Sequence, residues 1–180
     1  MTPRFFGYGS LVNRRTHAYP GAQPLTVRGW RRAWRHTSLR PVAFLTAVPS
    51  AGEIDGLAAE VPGADWAALD LREAAYLRAV LPEGPEIYHI PDGLHGPATE
   101  AHPILLSYID VVVQGYLTEF GVAGVARFFE TTDGWDAPIR DDRAEPIYPR
   151  AQVLAGEERS LVDTWLGRMR KGTMVADTKS

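Results

Sequence analysis

Glu73 is a carboxylate that the sequence places on the apolar face of a predicted helix. Residues 65–80 predict this helix because their apolar side chains recur at helical spacing behind Asp65, which can serve as the N-cap. The apolar positions are Trp66, Leu69, Tyr76, Leu77 and Val80. At about 100° of rotation per residue, Glu73 falls in the middle of the face that they form. Because an unpartnered carboxylate is costly to bury, two interpretations stay open: a structural carboxylate bound to an arginine or to backbone N–H groups, and a general base whose pKa burial raises toward neutrality.

The segment over residues 5–11 is the second place where the sequence could do chemistry. It predicts an apolar strand that enters a glycine-flanked turn and then a short helix over residues 11–17. Gly9 would let a ligand approach the main chain and Ser10 could cap the helix, so that successive N–H groups hold a carboxylate or carbonyl oxygen. The same small residues also suit a turn built only for packing. Val12 stands where the G-x-G-x-x-G and G-x-S-x-G motifs need glycine, which excludes both.

These two segments belong to a predicted α+β domain of many short elements. A chain of 180 residues is the size of one domain. Runs rich in β-branched and aromatic residues predict strands over residues 5–8, 25–34, 42–48, 54–61 and 86–90. Without a strict alternation of strands and helices, we expect a mixed or barrel-like sheet with flanking helices rather than a doubly wound sheet.

The second half of the chain predicts two further helices. Residues 106–120 follow the helical period, with Ser107 and Asp110 as a capping box and Gly121 as the end. Residues 162–169 predict a helix of the same kind. Residues 133–152 are polar and show no period, which predicts an ordered loop. Its charged residues predict a solvated surface, with a lid over a pocket as the alternative; they are Asp141, Asp142, Arg143 and Glu145.

Composition argues against several classes of function. Nineteen basic and 22 acidic side chains give a net charge of −3, too negative for a typical nucleic-acid-binding protein. One strand interleaves arginines with tryptophans, and we expect its arginines on the solvent face, with a nucleic-acid surface as the less favoured alternative; these arginines are Arg28, Arg31, Arg32 and Arg35. The chain has no cysteine, and its five histidines lack metal-ligand spacing. It shows no signal peptide and no membrane span, so we expect a cytoplasmic protein.

Four short segments, in this order and spacing, make the chain resemble the γ-glutamylcyclotransferase superfamily. They are Tyr8-Gly9-Ser10-Leu11 after the first strand, Ile54-Asp55-Gly56-Leu57 in a central strand, Leu69-Asp70-Leu71-Arg72-Glu73 followed by Tyr76, and Tyr108 ahead of Val112 and Gly115. The resemblance covers residues 5–116. It implies a small mixed β-barrel with flanking helices. We expect a single γ-glutamylcyclotransferase-like domain over residues 1–180, in which residues 121–180 are a C-terminal extension of unclear role.

The resemblance also implies an activity. In the family, the Y-G-S-x loop holds the γ-glutamyl group through main-chain contacts, and the glutamate of the L-D-x-x-E segment is the catalytic acid/base. Carried over to this chain, the resemblance makes Glu73 the proton carrier. The implied substrate-binding residues are Tyr8, Gly9, Ser10, Leu11, Tyr76 and Tyr108. The implied reaction converts a γ-glutamyl amine, amino acid or peptide to 5-oxoproline and a free amine, with no metal or cofactor.

The resemblance leaves the partner and the leaving amine open. We expect a small γ-glutamyl compound as the ligand and no nucleic acid or membrane. The sequence does not decide between a monomer and a homodimer. The alternative to an enzyme is a non-catalytic module that keeps the fold and the pocket and only binds a small ligand.

Overall fold

The structure, a computed structural model, describes residues 2–82 and 84–176, with side chains described up to residue 170. Nine strands are described: β1 (Arg4–Gly7), β2 (Gln23–His36), β3 (Phe44–Glu60), β4 (Leu77–Val80), β5 (Glu86–His89), β6 (Gly96–Pro97), β7 (Ile104–Leu105), β8 (Thr132–Asp133) and β9 (Ile139–Arg140). The α-helices are α1 (Ala67–Arg72), α2 (Leu106–Glu130) and α3 (Gly156–Ala176), and 3-10 turns cover Ser10–Val12, Arg14–Thr16 and Pro62–Ala64.

A curled, mixed sheet forms a half-barrel in the order β4-β5-β1-β3-β2-β6, with β8 added alongside β2. β1 pairs antiparallel with β3 and parallel with β5, so the end of β1 lies in the centre of the sheet. Helix α2 packs against the sheet, and α3 packs on α2. This architecture confirms the predicted α+β fold with a mixed, barrel-like sheet and flanking helices.

The long hairpin of β2 and β3 is more continuous than the sequence predicts. Residues 42–48 and 54–61 predict two strands, but β3 runs without a break over Phe44–Glu60. It does so because β2 supplies a partner along nearly its whole length, with one irregularity where Gly29 has a φ of +87°. Pro49 and Glu53 both pair with β2, and residues 50–52, whose composition resembles a turn, form the irregularity between these paired positions.

The predicted helix over residues 65–80 is wrong in its second half. Asp65 accepts a hydrogen bond from the Ala67 N–H, but α1 ends at Arg72. The chain then turns, and Leu77–Val80 pairs antiparallel with β5 as an edge strand. Leu77 and Val80, which the helical pattern placed on the core face, are 58% and 75% exposed. A short isolated helix has little stability of its own. The edge of β5 offers backbone hydrogen bonds to residues 77–80, and the helical period of the sequence does not record such a distant partner.

Helix α2 is longer than predicted and is the core helix of the fold. It continues to Glu130, although Gly121 breaks its helical geometry with φ 64° and ψ −168°. By length and composition α2 could cross a membrane; 56% of its most apolar window is buried inside the fold, as expected of a core helix. Beyond Gly121 it contributes to the main hydrophobic core together with Val162 of α3. The aromatic ring of Phe129 stacks on Trp165 at 5.4 Å.

The predicted capping box at the start of α2 is absent. Instead the side chain of Asp142 accepts hydrogen bonds from the N–H and Oγ of Ser107, at 2.8 and 2.6 Å. Asp110 forms an ion pair with Arg143, whose guanidinium donates to both carboxylate oxygens at 2.7 Å. The loop over residues 133–152 is therefore not simply a solvated charged surface. Two of its charged residues, Asp142 and Arg143, bind the loop to Ser107 and Asp110 of α2.

The prediction of a solvent-facing arginine is wrong for Arg32 of β2, which is completely buried. Its guanidinium donates to the Asp55 carbonyl and the Tyr116 hydroxyl, at 3.0 and 2.9 Å. It also donates to the hydroxyls of Thr131 and Thr132. Because the guanidinium lies over the rings of Tyr116 and Phe128 of α2, 5.1 Å from each centre, a charged residue of the strand becomes part of the interior.

Candidate active site

The N-terminal turn over residues 8–11 begins where β1 leaves the centre of the sheet. The hydroxyl of Tyr8 donates to the Tyr88 carbonyl at 2.6 Å and accepts from the Ala47 N–H at 3.0 Å. Burial raises the pKa of this phenol far above its ordinary value. The Tyr8 side chain therefore binds the turn to β5 and β3 and holds it in place.

Helix α2 supports the turn from the other side. The Tyr116 hydroxyl lies 2.8 Å from the Tyr8 carbonyl oxygen, and the Asn13 side chain donates to the Val111 carbonyl at 2.9 Å. A Cβ on Gly115 would lie 2.7 Å from the Asn13 nitrogen, so glycine is what lets the helix approach this closely. Strand and helix together leave the turn little freedom to move.

The turn directs backbone donors toward a tyrosine hydroxyl. Ser10–Val12 is a 3-10 turn, and the amides at its start have no carbonyl partner within it. A Cβ on Gly9 would lie 2.7 Å from the hydroxyl oxygen of Tyr108. Burial raises the pKa of Tyr108 well above its ordinary value, and the Ser10 N–H counters part of that rise. The turn thus presents N–H groups that can bind an oxygen of a ligand.

Glu73 is the first residue after α1, and its N–H closes that helix on the Leu69 carbonyl at 2.9 Å. Its side chain is 16% exposed. Burial raises the pKa of Glu73 above its ordinary value, and the charges of three arginines oppose the rise without cancelling it; they are Arg72, Arg40 and Arg150. A carboxyl group with a raised pKa can both accept and return a proton near neutral pH.

Arg72 connects Glu73 to the N-terminal turn. Its Nε lies 3.3 Å from the Glu73 Oε1, and its terminal nitrogens donate to Ser10 Oγ at 3.2 Å and to the Thr16 carbonyl at 3.0 Å. This is the arginine contact that a purely structural carboxylate would have. The carboxylate nevertheless lines two adjoining spaces, so the contact does not seal it from a ligand.

The first of these spaces, the inner cavity, contains about 330 Å³ of space free of protein atoms, its opening to solvent included. All the residues predicted for the site line it: Tyr8, Gly9, Ser10, Leu11, Glu73, Tyr76 and Tyr108. Its other walls come from Phe6, Gly7, Leu45 and Tyr88. The structure therefore brings the carboxylate and the backbone donors of the turn into one cavity.

The second space, the outer chamber, contains about 500 Å³ of space free of protein atoms, its opening to solvent included. It shares four residues with the inner cavity, namely Ser10, Glu73, Tyr76 and Tyr108. Its remaining walls include Arg40, Phe44, Arg72, Tyr148 and Arg150. Glu73 therefore stands where the two spaces meet, and a ligand lying across that point would have one end in each.

Tyr76 and Tyr108 form the walls of this junction. The Tyr76 hydroxyl donates to the Leu45 carbonyl at 2.5 Å, and burial raises its pKa well above the ordinary value. The ring of Tyr108 packs edge-on against Trp34, with the centroids 5.7 Å apart. Both phenols therefore remain neutral and can serve as hydrogen-bonding groups of fixed position.

The sequence predicts Glu73 as a site residue but gives an incorrect account of what buries it. It does not predict the arginines near the carboxylate, which are Arg72, Arg40 and Arg150. The carboxylate is buried by β1, the N-terminal turn and α2, not by the apolar face of its own helix. Arg72 adjoins Glu73 in the sequence, but residues next to each other on a continuous helix would point apart. Arg40 and Arg150 lie in segments without periodicity, and nothing in the sequence connects them to the site.

The described part of the chain holds no metal-binding cluster: no three histidine, aspartate or glutamate side chains converge there. What the site offers is a carboxylate of raised pKa, neutral phenols and backbone N–H groups. These groups suit a proton transfer beside a carbonyl whose oxygen gains negative charge.

Comparison with known proteins supports the architecture. No family model and no curated protein sequence matches the chain. The solved structures with a similar fold include two with TM-scores above 0.5. YkqA from Bacillus subtilis has a TM-score of 0.59 at 12% identity over 72% of this chain and 53% of YkqA, so the chain spans about half of YkqA's length. A γ-glutamyl cyclotransferase has a TM-score of 0.51 at 13% identity over 91% of this chain and 99% of its own. At such identities the similarity shows the fold alone.

Proposed function

We propose that this chain, which has the fold of the γ-glutamylcyclotransferase-like superfamily, converts a γ-glutamyl amine, amino acid or peptide to 5-oxoproline and a free amine. The observation that carries the proposal is that Glu73 and the N-terminal turn line one cavity, with the pKa of Glu73 raised by burial. Neither the carboxylate nor the backbone donors alone would point to one type of reaction. Together they supply a proton carrier and an oxyanion site for a substrate that holds both its own nucleophile and its own carbonyl.

In the proposed reaction, Glu73 first removes a proton from the α-ammonium group of the substrate. The freed amine attacks the γ-carbonyl carbon and forms the C–N bond of a five-membered ring. The bond between that carbon and the leaving nitrogen then breaks, and Glu73 returns the first proton to the leaving nitrogen, which departs as an amine. The ring nitrogen loses its second proton through Glu73, which is ionised again, and the released amine takes it up as an ammonium ion. No water is consumed, and the proton count balances because the two protons lost by the α-nitrogen are gained by the leaving nitrogen.

The backbone donors of the turn have the electrostatic role. As the amine attacks, the γ-carbonyl oxygen becomes an oxyanion, and N–H groups at the start of the Ser10–Val12 turn can stabilise it. The strand and helix that hold the turn make this donor set preorganised. Because ring closure is intramolecular, positioning within the cavity supplies much of the rate.

A direct test is to incubate the purified chain with a panel of γ-glutamyl compounds and to follow 5-oxoproline by mass spectrometry. The panel would include glutathione, γ-glutamyl amino acids and γ-glutamylamines. We expect time-dependent 5-oxoproline from at least one of them, in proportion to enzyme concentration. If none yields 5-oxoproline, this proposal is wrong.

The Arg72–Glu73 contact favours a second candidate, a non-catalytic module that binds the same ligands. Such a module would show saturable binding of a γ-glutamyl compound by calorimetry with no 5-oxoproline formed. Both candidates therefore predict binding of a γ-glutamyl compound, and only the enzyme predicts formation of 5-oxoproline. Measuring binding and 5-oxoproline on the same protein and compound distinguishes them.

A further inference from the structure

The outer chamber carries an excess of positive charge beside Glu73. Its lining has three arginines and one carboxylate, which leaves two positive charges when Glu73 is ionised. The whole chain, by contrast, has a net charge of −3. A local excess of this kind in an acidic protein points to an anionic ligand group.

Two of these arginines have no acidic partner in the described part of the chain. Arg72 is already bound to Ser10, Thr16 and Glu73. No carboxylate oxygen among the described side chains lies within 4.0 Å of the guanidinium nitrogens of Arg40 or Arg150. Both arginines therefore have hydrogen-bond donors available to a ligand.

The two arginines are placed at the chamber by separate parts of the fold. The guanidinium of Arg40 lies over the ring of Phe44, 5.5 Å from its centre, and one of its nitrogens is 3.5 Å from the Arg72 carbonyl. Arg150 is half-buried and comes from the segment that follows β9. That segment also brings the ring of Tyr148 to 4.9 Å from Tyr108. Both arginines line the outer chamber together with Glu73.

We infer that the outer chamber receives the leaving amine and that Arg40 and Arg150 select leaving groups that carry a carboxylate, as γ-glutamyl amino acids and peptides do. The inference rests on the proposed function. In that reaction the γ-carbonyl lies at Glu73, where the two spaces meet. The backbone donors line the inner cavity and suit the γ-glutamyl group, so the leaving group extends toward the arginines.

Guanidinium groups bind carboxylates through charge-assisted and often bidentate hydrogen bonds. A neutral leaving amine gains nothing from Arg40 and Arg150, and a cationic one is repelled by them. The order of specificity is therefore carboxylate first, neutral second and cationic last.

Three substrates test this order: γ-glutamylalanine, γ-glutamylethylamide, which lacks only the carboxylate, and γ-glutamylputrescine, whose tail is cationic. The measured quantity is kcat/KM for 5-oxoproline formation. We expect the Arg40→Gln, Arg150→Gln double variant to lower the ratio of γ-glutamylalanine to γ-glutamylethylamide by about tenfold, mainly through KM. The ratio is used because the loss of an arginine also changes the pKa of Glu73, which acts on both substrates.

Arg28→Gln is the matched control, since Arg28 is 87% exposed and lies on β2 outside both spaces; it should leave the ratio unchanged. A second measurement needs no variant: added salt should slow the turnover of γ-glutamylalanine more than that of γ-glutamylethylamide.

The outcomes separate the two proposals. If wild-type enzyme forms 5-oxoproline from none of the three compounds, the proposed function fails and this inference fails with it. If it does turn them over but the double variant leaves the ratio unchanged, only the inference is overturned. An equal loss on γ-glutamylalanine and γ-glutamylethylamide is such an unchanged ratio, because the arginines would then act only on what both substrates share: the carboxylate of the γ-glutamyl group or the proton transfer by Glu73.

Discussion

The Nε of Arg72 lies 3.3 Å from the Oε1 of Glu73, although the two are consecutive residues. On a continuous helix they would point about 100° apart. They converge because α1 ends between them, and Glu73 adopts φ −101° and ψ 32° outside the helix. The end of this short helix therefore sets the position of the carboxylate and gives it a cationic neighbour that also holds Ser10 and Thr16.

Glu73→Gln tests the proton carrier directly. Glutamine keeps the size and an oxygen that can accept from Arg72, but it cannot take a proton from the α-ammonium group. We expect 5-oxoproline formation to fall by roughly 10²- to 10⁴-fold, the range typical of lost general acid–base catalysis. Thermal unfolding should show that the variant is folded. Glu100→Gln, at an exposed position outside both spaces, is the control and should retain full activity. Turnover by Glu73→Gln within a few-fold of wild type would exclude Glu73 as the proton carrier.

The pH profile should show the raised pKa of Glu73. The reaction starts with ionised Glu73, so kcat/KM should rise with pH along a limb that lies above the ordinary glutamate pKa of about 4.3. Arg150 stabilises the ionised form, so Arg150→Gln should raise the pKa of Glu73 further and move this limb to higher pH. Arg28→Gln should not move it. A limb that moves to lower pH in Arg150→Gln would contradict the assignment of the limb to Glu73.

Gly9→Ala tests how tightly the turn packs on Tyr108. A Cβ on Gly9 would lie 2.7 Å from the Tyr108 hydroxyl oxygen, so alanine at this position meets a steric cost. We expect a loss of about 1–3 kcal/mol in the free energy of unfolding, measured in urea. Tyr108→Phe removes the atom that clashes, so the double variant should lose less than the sum of the two single variants. Strict additivity would show that the two residues do not meet as described.

Arg32 and Arg28 lie on the same strand and provide a matched comparison of a buried and an exposed arginine. Arg32→Lys should lower the free energy of unfolding by roughly 2–4 kcal/mol, because one ammonium group cannot replace the forked donors that reach Asp55, Thr131 and Thr132. Arg28→Lys, at a side chain 87% exposed, should change it by less than about 0.5 kcal/mol. Equal effects in both variants would mean that the buried network contributes no stability.

Local sequence predicted the α+β fold and the N-terminal turn, and it drew attention to Glu73 through a helix that in fact ends at Arg72. Period, residue type and the glycines of a turn are properties of a few neighbouring residues, and they predict β1 and the part of α2 before Gly121. The matched segments placed Tyr8, Gly9, Ser10 and Glu73 together, and the structure brings all of them to one cavity. Their chemical roles stay predictions.

The tertiary structure determined the features that depend on contacts between residues far apart in the sequence. The edge of β5 converts Leu77–Val80 from a predicted helix into a strand, and the Tyr116 and Phe128 rings of α2 lie over Arg32, which is buried. The outer chamber also depends on the tertiary structure, because Arg40 and Arg150 both line it although their positions in the sequence are 110 apart. Hydrogen bonding between distant strands and the meeting of distant charges depend on how the chain closes on itself, and no local pattern records this.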